Sequence, residues 1–294
     1  FRSFPFPTSE EIIFSEEFLK TRGLQEQLHW LVRRCRISSE DIAIIIDSTV
    51  SQRDNPAWHL ARKGSLSTRN FAVVLKTKRV TLSLLKWLLR EYDLSRVKAV
   101  PWGVNNEEEA IKAFTAKTGK SVEDTGIWSY SSGILDASPD GIVDDQTVLE
   151  AKCPYTERSM TIEEAFQSSA TFCVEKCESE QCYALKKDQI YWHQAQGKMC
   201  FSERKCCYFV VWTKKNTAVI RIERDDTWAA TNILLLTQFY VNHIFLRGNC
   251  RFQFSVLYYR LMGSSWIVWF YLKHNWLSHA TGFSLSILST LKAQ

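Results

Sequence analysis

Helical and alternating hydrophobic rhythms divide the chain. Over residues 8–37 apolar side chains recur at helical spacing, with Thr8 or Ser9 as a cap and Glu10 and Glu11 in the first turn, which predicts a helix. The apolar run from Ile42 ends at Asn55-Pro56, and a short helix is predicted from near Trp58 through Arg62. VTLSLLKWLLREYD (80–93) predicts another. WGVNNEEEAIKAFTAKTG (102–119) carries a strong helical signature: Asn105 or Asn106 caps it, three glutamates load the positive end of its dipole, and Gly119 closes it.

Between residues 126 and 153 the period changes and predicts a hairpin, one strand leading into SPDGIV, a turn at Asp144-Asp145, and VLEAKC returning. A helix over about 160–172, a loop rich in Cys and Glu, and the helix ALKKDQIYWHQAQGKMCF (184–201) follow. YFVVW (208–212) reads as a central strand, KKN as a turn, AVIRIE (218–223) as its partner, and Trp228–Phe245 as a last helix. The resulting expectation is an α/β fold with a mixed central sheet and helices on both sides. It divides into a helical extension (1–50), a core (51–245) and an aromatic, acid-poor tail (246–294) whose pattern specifies no structure. The most apolar stretch, 255–277, is broken by Arg260, Lys273 and His274. Its uninterrupted part falls far short of the roughly 20 residues a bilayer requires, so no membrane partner is expected.

The bulk numbers add little. With 45% hydrophobic and 23% charged residues among 294, the composition is that of a globular protein, and a net charge of +5 admits a polyanionic partner without demanding one. Nine cysteines, an odd count without a visible leader, predict reduced thiols in an intracellular protein, nuclear or cytoplasmic and not secreted. Cys173, Cys177 and Cys182, with Cys200 or Cys206, invite a zinc reading, but their spacing is wider than in structural zinc pairs, and unpaired thiols are favoured. His193 reads as a packing or surface residue. No GxSxG and no GxxxxGK[ST] occurs, which excludes a serine hydrolase of that type and an ATP-driven motor.

Candidate chemistry concentrates in ASPDGIVDDQTVLEAKCPY (137–155). Residues two apart on a strand share a face, so Glu150 and Lys152 project together while Leu149, Ala151 and Cys153 turn into packing. A turn at Asp144-Asp145 sets Asp140 opposite Glu150, just before a glycine that permits a bend. The bland alternative is a cross-strand salt bridge, worth little if exposed. These neighbours are too apolar for a solvated edge, and two carboxylates close together in a partly buried site need a cation between them. Glu107 shares its helical face with Ala110, Ile111 and Phe114, so it is a candidate third carboxylate; a capping glutamate near a helix N-terminus is equally compatible. Arg62, Lys63, Arg69, Lys76, Lys78 and Arg79 form a basic cluster, either a solvated face or a phosphate-backbone track.

Asp140, nine residues and Glu150-Ala151-Lys152 fit the PD-(D/E)xK nuclease signature. Four ordered blocks, AWHLARKGSLSTRNF (57–71), WGVNNEEEAIKAF (102–114), GILDASPDGIVDDQTVLEAKCPY (133–155) and YWHQAQGKM (191–199), resemble the YqaJ-type viral recombinase group, which includes lambda-type exonucleases. YFVVWT and IERDDTW extend the resemblance over about residues 50–245. It implies a restriction-endonuclease-like core and a metal-dependent deoxyribonuclease, an exonuclease on duplex DNA ends in recombination or degradation. Asp140, Glu150, Glu107 and the Ala151 carbonyl would hold Mg²⁺ or Mn²⁺, and Lys152 would sit beside the attacking water. Arg62, Ser138 and Gln194 would hold a terminal phosphate, and Tyr191 and Gln196 would support the helix motif. Where the family carries Thr-Ala-Ser, this chain has Ser67-Thr68-Arg69, which puts a cation, Arg69, near the expected phosphate. A homo-oligomer and a single-strand annealing partner are further implications. Two other readings stay open: a structure-specific endonuclease, and a DNA-binding protein whose nuclease site is unused.

Overall fold

Helices open the chain in the computed structural model, which describes residues 5–8, 11–12, 15–21, 24–89, 96–176 and 183–245. The predicted tail 246–294 and Cys177, Cys182 and Cys250 lie outside the described residues. The expected helix over 8–37 is divided: α1 (Glu16–Lys20) ends at Thr21, whose backbone is extended, and α2 (Leu24–Cys35) follows. The IAIII run forms the body of α3 (Ser39–Ser48), started by a reciprocal capping box between Ser38 and Asp41. α4 (Pro56–Ala61) starts at Pro56 rather than near Trp58 and ends before Arg62, with Asn55 capping and Pro56 in the first turn. α5 (Phe71–Lys76) and α6 (Leu82–Leu88) come next.

α7 (Ala99–Thr118) corrects the capping expectation. It starts earlier than read, so Asn105 and Asn106 lie inside it and the three glutamates sit at mid-helix, away from the positive end. Pro101 is tolerated in the first turn, and Asn106 donates from its side-chain amide to the Trp102 carbonyl one turn back, at 2.8 Å. Gly119 ends the helix as expected.

Three short strands, β1 (Leu66–Ser67), β2 (Trp128–Ser129) and β3 (Leu135–Ala137), form a small sheet in the order β1-β3-β2. β4 (Gly141–Asp144) and β5 (Thr147–Lys152) are the predicted hairpin. After α8 (Ile162–Ser168), β6 (Val174–Lys176) and β7 (Tyr183–Leu185) make a separate ribbon. The helix read over 184–201 is therefore shorter: α9 spans Ile190–Phe201 because the chain is still extended at Gln189. β8 (Cys206–Trp212) and β9 (Thr217–Glu223) complete the main sheet. α10 (Asp226–Phe239), capped by Asp225, passes into a π-helical turn at Tyr240–Phe245.

The main sheet runs β4-β5-β8-β9, with β5 and β8 parallel and the outer pairs antiparallel, hence the mixed sheet expected. Its centre is buried on both faces. On one, Leu149, Ala151 and Val210 pack with Ala110 and Phe114 of α7. On the other, Val148, Phe209 and Val211 pack with Ala195 and Met199 of α9. Gly141 follows directly on a bend of the chain at Asp140, as the sequence suggested. A Cβ there would lie 2.2 Å from the Val122 side chain and 3.2 Å from the Glu123 carbonyl, so the missing side chain admits a neighbouring segment. The thiols of Cys153, Cys173, Cys200, Cys206 and Cys207 are free, and no described helix is long and apolar enough to cross a membrane.

Candidate active site

β5 separates its side chains as the alternation requires. Glu150 points away from α7 to lie beneath α9, where it is 1% exposed. One carboxylate oxygen accepts from Gln194 Nε2 at 2.7 Å and from the Lys152 ammonium; the other accepts from the Lys198 ammonium. Hairpin register pairs Gly141 with Leu149 and so sets Asp140 beside Glu150. Asp140 Oδ2 accepts from the Ala151 backbone N–H at 2.7 Å, and Oδ1 from Lys198 Nζ at 3.3 Å. Lys198, itself 2% exposed, thus bridges both carboxylates.

Glu107 comes to this group from α7. Its partner is Arg53, 3.5 Å away. Burial raises its pKa above the ordinary carboxylate value, and the negative charge of Asp140 raises it further, against the pull of Arg53, Lys152 and Lys198. The capping alternative fails, since Glu107 stands two turns inside its helix. Beside it, Cys153 Sγ donates to the Asn106 carbonyl at 3.3 Å, and burial pushes that thiol up to about 12. Lys152 is therefore bonded directly to Glu150, Asp140 is linked to Glu150 through the Lys198 ammonium, and Glu107 is joined to them by field.

The loop before Asp140 is clamped by Gln52, whose side-chain amide donates to Pro139 O at 2.6 Å and Thr125 O at 3.1 Å. Gln52 does this from a left-handed backbone, φ 43°, a conformation that costs energy for a non-glycine residue and so points to a positional demand. Gln52, Arg53 and Lys198 were not singled out from sequence. Of the three, Lys198 carried a signal: it lies one helical turn after Gln194, on the same face.

The remaining candidates divide. Arg62 lies over the Trp58 ring, 4.0 Å from its centroid, and donates to Ser67 Oγ at 3.2 Å, while Trp58 Nε1 donates to Ser138 Oγ at 3.2 Å. Arg62 and Ser138 are thus tied through one tryptophan, and Gln194 is tied to Glu150. Arg69 is exposed and makes no hydrogen bond or ion pair with any of these. Tyr191 lies under the Lys152 ammonium, its ring centroid 5.3 Å from Nζ. Gln196 accepts from the Asp225 backbone and donates to Glu223 O, fastening α9 to the end of β9. His193 Nδ1 accepts from Trp228 Nε1 at 3.1 Å, a packing role.

Among the described residues no three His, Cys, Asp or Glu side chains close on one point, and Cys177 and Cys182 of the zinc reading lie outside them. The donor chemistry nevertheless fits a hard cation: Asp140, Glu150 and Glu107 offer only oxygen, and Asp140 and Glu150 already converge on one cation, the Lys198 ammonium.

Residues 57–205, half of the chain, match the profile of the YqaJ-like viral recombinase domain. The chain belongs to that family. The matched span contains Arg62, Glu107, Ser138, Asp140, Glu150, Lys152 and Gln194, and Lys198 as well. Outside it fall Gln52 and Arg53, which reach into the site from the segment before α4. The fold is matched in solved structures too. An alkaline exonuclease, LHK-Exo from Laribacter hongkongensis, is similar at 22% identity and TM-score 0.50, covering 67% of this chain and 95% of that one. The LHK-Exo complex with dAMP gives 23%, 0.51 and the same coverage. The shutoff and exonuclease protein of Kaposi's sarcoma-associated herpesvirus is similar at 11% identity and TM-score 0.45, with 79% of each chain covered. The core is accordingly restriction-endonuclease-like. No curated protein matches the chain by sequence.

Proposed function

We infer that the protein is a metal-dependent DNA nuclease that hydrolyses phosphodiester bonds, acting as an exonuclease at duplex ends in recombination or DNA degradation. The observation that carries this reading is the meeting of Asp140, Glu150 and Lys152 in one group bridged by Lys198, in the order and spacing of the nuclease signature. Family membership supports it, and so does the exonuclease name of a protein with the same fold, solved with a nucleotide bound.

Asp140 and Glu150 would hold Mg²⁺ or Mn²⁺, with Glu107 and the Ala151 carbonyl as further oxygen donors. When bound, such an ion polarises phosphoryl oxygens and lowers the pKa of water. The chain's own residues do the rest. Lys152, steadied by Glu150 and by the Tyr191 ring, places positive charge where a water attacks phosphorus and negative charge gathers on the phosphoryl oxygens. The bond from phosphorus to the leaving oxygen breaks, and a proton ends on that oxygen. Arg62, oriented by Trp58 and Ser67, and Ser138 offer a cation and a hydroxyl for a terminal phosphate. Arg69 remains exposed as a sequence-independent backbone contact.

The test compares linear duplex DNA with covalently closed circles of the same sequence, in Mg²⁺ and in EDTA. Degradation of the linear form alone, lost in EDTA, is expected. Equal cutting of circles would replace the exonuclease by an endonuclease, and no degradation of either would remove the enzymatic reading.

A further inference from the structure

The charges around Asp140 and Glu150 balance before any metal enters. Three acids, Asp140, Glu150 and Glu107, meet three bases, Lys152, Lys198 and Arg53. Of these bases Lys198 is the most enclosed. Its side chain is 2% exposed, and its ammonium touches one oxygen of each central carboxylate. Glu150 has no oxygen left over, because Lys152 and Gln194 share its other one. The remaining Asp140 oxygen is held by the Ala151 N–H.

Such a lysine cannot be a solvated counter-ion that drifted inward. A buried ammonium is costly unless it is paired, and here α9 carries it to the one place where two carboxylates pair it. α9 is itself fixed in depth, because a Cβ at Gly197 would lie 2.7 Å from Thr68 Cγ2 and 3.0 Å from the Phe71 ring. The neighbouring helical position is therefore held close to the carboxylates.

We propose that Lys198 is a resident cation of this centre: its ammonium occupies a cation position between Asp140 and Glu150, and the centre takes a single divalent ion. This rests on the metal-dependent reading above. Lys198 is a positioning residue here, acting through the carboxylates. Two consequences follow. The carboxylates are pre-assembled without metal, and an entering ion must share them with a positive charge at contact distance, which weakens its binding.

Calorimetry with MnCl₂, without DNA, tests this on the full chain and on Lys198→Met and Glu150→Gln, with Mn²⁺ electron paramagnetic resonance for stoichiometry. The wild type is expected to bind one ion per chain. Lys198→Met is expected to bind at least about tenfold more tightly, given the strength of like-charge repulsion at contact in a buried site, and to admit a second, spin-coupled ion. A purely structural lysine would lower the melting temperature without changing stoichiometry. A coupled Mn²⁺ pair in the wild type overturns the proposal even if Lys198→Met fails to fold. So does one ion in both proteins at unchanged affinity, and there the metal reading survives. No binding by the wild type or by Lys198→Met sinks the metal reading and the proposal together.

Discussion

The two faces of β5 are equally dry and entirely unlike. Toward α7, Leu149 and Ala151 meet the apolar side chains of Phe114, Ala110 and Val210. Toward α9, one residue along the same strand, Glu150 is just as inaccessible yet is surrounded by Lys152, Lys198 and Gln194. Burial therefore does not distinguish structural from chemical positions in this fold. What distinguishes them is whether neighbours compensate for burial by filling space or by cancelling charge. An apolar face is weakened in proportion to the volume removed, whereas a charged face fails when one partner is lost and recovers when both are.

That contrast can be tested by substitution, starting with the largest expected change in stability. Phe114→Ala should cost about 3–5 kcal/mol in chemical denaturation, and no second substitution among its neighbours should restore it. Glu150→Ala should cost a similar 3–5 kcal/mol by leaving Lys198 without a full partner, and Glu150→Ala with Lys198→Met should recover most of it. If the double variant is no more stable than the single one, the charged face is not a compensated pair. Gly197→Ala should cost about 1–3 kcal/mol, because the added methyl would overlap Thr68 and Phe71.

The smallest effect concerns pH. Burial, aided by Lys76, lowers the pKa of His193 below 6.5. The folded state then binds fewer protons than the unfolded chain, so stability should fall as pH drops through that value. His193→Asn keeps an acceptor for Trp228 and should flatten this slope between pH 7 and 5. A slope unchanged in the variant assigns the acid sensitivity elsewhere.

Much of this arrangement was legible in the sequence, because strand alternation is strict. Placing Glu150 and Lys152 on one face needed only their spacing, and setting Asp140 opposite needed only the turn. The start of α7 was misread because Asn105 and Asn106 are strong caps in isolation. Only the structure shows Asn106 bonding its own helix instead. Lys198 was missed for a different reason. From Gln194 to Met199 every residue of α9 is buried, so the helix has no polar face against which an inward lysine would stand out. Arg53 and Gln52 come from distant sequence, and only tertiary folding brings them to Glu107 and Pro139. The parallel pairing of β5 with β8 is likewise invisible to local pattern.

The central claim is that the charged face of β5 performs chemistry. Cleavage of end-labelled linear duplex DNA in Mg²⁺ by the wild type, Asp140→Ala and Lys152→Ala, alongside binding of the same DNA in Ca²⁺, tests it most directly. The expected result is cleavage reduced at least about a thousandfold in both variants, as when charge-stabilising groups are removed from other active sites, with DNA binding within a few-fold of wild type. Full cleavage by both variants would contradict the account.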